Sequence, residues 1–76
     1  MISLNLSFIK ARRKELGFTL LDMANILGFK KGSTYLKYEN GLYSFKAEHL
    51  PVLAKKLRCS IEDFFAENIA KTEISV

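Results

Sequence analysis

The sequence predicts an all-α domain of five short helices. Three observations lead there. Glycines at 17, 28, 32 and 41 punctuate the chain, and apolar residues between them recur at helical spacing. Two capping boxes, Thr19 with Asp22 and Ser60 with Asp63, mark helix starts. Strand-like alternation is confined to the ends, at Ile2, Leu4, Leu6 and at Thr72, Ile74, Val76.

The first helix is expected from Leu6 to Leu16, capped by Asn5 or Ser7 and ended by Gly17. Leu6, Ile9 and Leu16 fall near one face. The second starts at the Thr19 cap, turns Met23, Ala24 and Leu27 inward, and stops at Gly28. The third starts near Gly32 or Ser33 and ends at Asn40-Gly41, with Tyr35 and Tyr38 as its inward face. Pro51 is tolerated only in a first turn, so the fourth helix begins near His49 and carries Leu50, Leu53, Ala54 and Leu57. A fifth follows Ser60 and bears Ile61, Phe64 and Phe65. Such helices with tight connections make a bundle.

The 76 residues suffice for one domain. Cys59 is alone, so no disulfide forms within the chain and a reducing, cytoplasmic setting is expected. One cysteine and one histidine leave no ligand set for a structural metal. Met1 to Leu6 is too short for a signal peptide core, and no apolar run is long enough to span a bilayer. The net charge of +4 is uneven: +7 over residues 1–58 and −3 over residues 59–76. A basic body suits a polyanionic partner. No nucleophile–base pair, phosphate loop or paired carboxylates can be argued, so no enzyme, catalytic residue or cofactor is expected.

Thr19 to Gly41 holds two short helices joined by a turn with glycine and lysines. That is the helix-turn-helix plan, whose second helix can enter the major groove. Its residues narrow the reading. The run Ser33-Thr34-Tyr35-Leu36-Lys37-Tyr38-Glu39-Asn40-Gly41 resembles the recognition-helix segment of the Cro and phage-repressor (XRE) family. So do Arg13-Lys14-Glu15-Leu16-Gly17-Phe18-Thr19 before it, and Leu50, Leu53-Ala54, Leu57 and Ser60-Ile61 after it. The resemblance covers roughly residues 6–65 and implies a five-helix lambda-repressor-like bundle. Residues 1–5 would then form an N-terminal arm, 6–66 the DNA-binding domain, and 67–76 a tail.

The resemblance also implies roles. Ser33, Thr34 and Lys37 would read base edges; Lys37 can donate to guanine O6 or N7, or else meet only phosphate. Ser33 could instead merely cap its helix. Asn40 would bind a phosphate oxygen. Arg13 and Glu39 would form an ion pair under the DNA surface, with Arg13 also near the backbone. Lys30, Lys31 and Lys46 flank the third helix as further phosphate contacts, and Tyr43 could add a hydroxyl. Three departures stand out. The turn Phe29-Lys30-Lys31-Gly32 is one residue longer than usual, Leu20 replaces a common glutamine, and Phe45 replaces a common proline.

The resemblance implies a transcriptional regulator, most simply a repressor, bound to double-stranded DNA as a homodimer on a near-palindromic site. The alternating ends could pair as strands between subunits or remain frayed. Leu20 and Leu21 of the second helix are apolar at positions expected to be polar and exposed. With the acidic tail they motivate an alternative, an antitoxin-like module that neutralises a protein partner. Cys59 is expected as a buried inert thiol, and His49 as a cap or surface residue.

Overall fold

The computed structural model describes residues 4–65, whose regular elements are all helical. Four α-helices follow in order: α1 (Leu6–Glu15), α2 (Leu20–Leu27), α3 (Gly32–Glu39) and α4 (His49–Lys56). The fifth element, Ile61–Phe65, is a 3-10 helix, which corrects the expected count of five α-helices. Five residues give an α-helix almost no intrahelical bonds, and 3-10 bonding is the tighter solution for so short a piece. Its Phe64 carbonyl accepts the Asn5 N–H at 2.6 Å, which ties this turn to the start of α1. Among the described residues there is no strand. Met1 to Ser3 and the tail 67–76 lie outside them, so the terminal strand pairing does too.

Side-chain caps explain where α1 and α2 begin. The Asn5 side chain accepts the Phe8 N–H at 3.0 Å. At α2, Thr19 Oγ1 accepts the Asp22 N–H at 3.0 Å, and Asp22 Oδ2 accepts the Thr19 N–H at 2.8 Å. Those bonds to Thr19 hold the Asp22 carboxyl below its ordinary value of 3.8. A carboxyl lowered in the folded state adds stability above its unfolded pKa and loses it as pH falls through the folded one. Below about pH 4, wild type is therefore expected to lose melting temperature more steeply than Asp22→Asn. Parallel melting curves for the two proteins would refute this.

All four α-helices stop in the same way. The N–H just after a left-handed residue returns to a carbonyl five residues back: Phe18 to Arg13, Phe29 to Ala24, Leu42 to Lys37 and Cys59 to Ala54. This is the Schellman pattern, which needs one residue in the left-handed conformation. Glycine supplies it three times, but after α4 the residue is Arg58, at φ +55°. A Cβ there costs roughly 1 kcal/mol or more. Arg58→Gly is expected to raise stability by about 1 kcal/mol, read as a higher midpoint in urea. No gain in midpoint would show the strain to be relieved already.

One core joins every element. Ile9 of α1, Met23 and Ala24 of α2, Tyr35 of α3, Leu53 and Ala54 of α4, then Leu57 and Phe64, are all buried. Leu6, Leu16, Leu20, Leu27, Phe29, Phe45 and Cys59 pack against it from the rim. Cys59 is thus half-buried, and burial raises its thiol pKa. Ile61 and Phe65 are exposed, so the last helix buries only Phe64 of its expected inward residues.

Arg12 has a role that the sequence did not reveal. Its Nε donates to the Leu57 carbonyl at 2.8 Å and its Nη2 to the Arg58 carbonyl at 3.3 Å. A cation thereby meets the negative end of α4, where free carbonyls need donors.

Candidate nucleic-acid interface

The position of α3 follows from one close approach. A Cβ on Gly32 would lie 3.1 Å from the Leu21 backbone nitrogen and 3.2 Å from Leu20 Cβ. The first turn of α3 therefore rests directly on the first turn of α2, and only a residue without a side chain fits without displacing backbone. The connecting turn is Gly28 to Lys31, with Gly32 already inside the helix. Leu20 is half-buried in this contact, whereas Leu21 is 51% exposed.

Seated this way, α3 has two faces. Tyr35 and Glu39 are buried and Tyr38 is half-buried. Ser33, Lys37 and Asn40 are exposed, and their spacing of four and three residues puts them on one stripe. Thr34 is half-buried beside them, as is Leu36. The residue preceding the helix is Lys31, and no side chain caps it. Ser33 lies within the first turn and so is not the cap. The leading N–H groups of α3 can thus turn to water or to an anion.

The electrostatics are one-sided. Lys30, Lys31, Lys37 and Lys46 are all exposed, and Glu39 is the only carboxylate between Phe29 and Ala47. Glu39 is 3% exposed and locked to Arg13, which is 8% exposed. Arg13 Nε donates to Glu39 Oε2 at 2.9 Å and Nη2 to Oε1 at 3.1 Å, a two-pronged fork. Arg13 Nη1 donates to the Phe18 carbonyl at 3.0 Å. Donation to Glu39 holds the guanidinium above its ordinary pKa, against the opposing effect of burial. Between Phe29 and Ala47 the charged side chains left exposed are cations alone. Two of the five Arg13 N–H groups remain for any phosphate.

Beneath the pair, the Tyr35 hydroxyl is buried without a well-formed hydrogen bond. Burial first, and then the adjacent Glu39 carboxylate, push this phenol far above its usual range.

Behind α3 lies an aromatic cluster. The rings of Phe29 and Tyr38 stack at 4.8 Å. His49 meets Phe29, Tyr38 and Phe45 edge-on, at 5.6, 5.7 and 6.1 Å. His49 is buried, which corrects the surface reading, and its Nδ1 accepts the Lys46 N–H at 3.0 Å. It shapes the loop that carries Lys46, and Phe45 fills the same cluster from that loop. Nothing at the level of helical spacing marked this role; aromatic residues at 29, 38 and 45 were the available hint.

Among the described residues, no three His, Cys, Asp or Glu side chains gather as a metal site, and no helix is long and apolar enough to cross a membrane. A family model described as helix-turn-helix matches residues 9–64. No curated protein and no solved structure gives a significant match.

Proposed function

The chain belongs to the XRE-type helix-turn-helix family of DNA-binding regulators, and on that premise we propose that it is a repressor that binds a near-palindromic operator as a homodimer. The family is regulatory rather than catalytic. The observation that carries the reading is the exposed stripe Ser33, Lys37 and Asn40 on α3, set among lysines with its only carboxylate neutralised.

In this reading Ser33 and Lys37 reach base edges from the first turns of α3, with Thr34 beside them. Asn40, Lys30, Lys31 and Lys46 hold phosphates, and the remaining N–H groups of Arg13 add to them. A dimer would present two such helices one turn of duplex apart, and occupying a promoter would exclude polymerase.

The test is selection from a random duplex pool at physiological salt, with sedimentation of the free and bound protein. A two-fold symmetric consensus, bound by two chains and weakening steeply with added salt, supports the proposal. A pool that stays random, or an asymmetric site bound by one chain, removes it.

A groove gives the alternative some support. Phe18, Ile26 and Val52 form an apolar floor with Lys55, Lys56 and Arg58 at its rim. An acidic protein partner, as an antitoxin-like module would have, fits that chemistry. Co-purification of a stoichiometric partner whose binding is lost in Val52→Glu would favour it over the homodimer.

A further inference from the structure

The loop after α3 folds back on the helix rather than leaving it. Gly41 takes φ +88°, and the Leu42 and Tyr43 N–H groups both return to the Lys37 carbonyl, at 2.8 and 3.3 Å. This reversal carries the Tyr43 side chain back alongside α3. Its ring sits edge-on to Tyr38 at 5.3 Å, and Tyr38 in turn stacks on Phe29. The position of the Tyr43 ring is therefore set from the core outward. The Lys37 ammonium lies over that ring, 5.7 Å from its centroid. This is within the range at which a cation is drawn to an aromatic face.

We propose that Tyr43 is a positioning residue for base reading, and that its ring, not its hydroxyl, holds the Lys37 ammonium in place. The proposal rests on the DNA-binding reading above and gives the phosphate candidate Tyr43 a different task. A free lysine samples many rotamers, and binding a base must freeze them. A ring that already confines the ammonium removes part of that loss. One side of the ammonium faces the ring, and its remaining N–H donors stay open to guanine O6 or N7. The gain falls on the base that Lys37 reads and on no other. A phosphate contact through the hydroxyl would instead strengthen all sequences alike.

Tyr43→Phe keeps the ring and loses the hydroxyl; Tyr43→Leu loses both. Each is compared with wild type on the selected operator, on the operator changed at the base pair read by Lys37, and on random duplex. Wild type and Tyr43→Phe should discriminate equally. Tyr43→Leu should discriminate about two- to fivefold less, with its affinity for random duplex unchanged. In a Lys37→Ala background the leucine substitution should change nothing further. Without DNA, ring-current shifts of the Lys37 side-chain protons should appear in wild type and Tyr43→Phe and vanish in Tyr43→Leu. Equal losses for Phe and Leu would restore the hydroxyl contact and overturn the proposal. So would a leucine effect that persists without Lys37, or free-protein spectra with no ring-current shift. If the ring-current shifts are present but no sequence is preferred, the regulator reading fails, and base positioning fails with it.

Discussion

Glu39→Ala should destabilise the domain by about 3–5 kcal/mol, enough to leave much of a domain this small unfolded at room temperature. The size follows from burial. Both side chains of the pair are enclosed, at 10% and 0% exposure, so the Arg13 charge would be stranded without its partner. A solvated surface pair of the same geometry would contribute under about 1 kcal/mol. The remaining bond from Arg13 to the Phe18 carbonyl offsets little of the loss. Urea melts followed by far-ultraviolet circular dichroism give the number. The double variant Arg13→Met, Glu39→Leu should recover much of the stability, since neither charge is then left alone. A cost below about 1 kcal/mol for Glu39→Ala would mean that water reaches the pair. A successful double variant that still binds DNA would show that the pair serves the fold and not the contact.

Lys37→Ala should lower affinity for the selected operator by about 1–3 kcal/mol while leaving random duplex nearly unaffected. Lys31→Ala should weaken both by a similar factor and reduce the salt dependence by about one counterion. Both lysines are exposed, so neither change should disturb the core. The contrast depends on position alone. Lys37 is on the stripe with Ser33 and Asn40, whereas Lys31 precedes the first turn of α3. Fluorescence anisotropy titrations at several salt concentrations separate the two effects. Equal losses on operator and random DNA for Lys37→Ala would move it to the phosphate contacts.

Much of the candidate surface was legible in the residues. Ser33 and Lys37 share a helical face by their spacing, and Thr19 with Asp22 set the start of α2 two turns before the break at Gly28. The resemblance supplied the pairing of Arg13 with Glu39, 26 residues apart, which no local pattern contains. Other features were hidden because they are contacts between distant segments. Arg12 resembles any solvated arginine in sequence, yet its guanidinium closes the end of α4, 45 residues away. His49 offers no spacing signal, and it is buried because Phe29, Tyr38 and Phe45 converge on it.

The sequence by itself determined where α1 and α2 begin and where α1, α2 and α3 end, since caps, glycines and apolar periodicity act over four or five residues and need no partner. It also determined the excess of cations around α3. Tertiary structure alone decided that Ile61–Phe65 is a 3-10 turn, that Arg58 adopts a conformation suited to glycine, and that the Tyr43 ring lies against Lys37. The first and third of these depend on contacts beyond the local turn, Asn5 with Phe64 and Tyr38 with Phe29, whose energies outweigh the local preferences that a sequence displays.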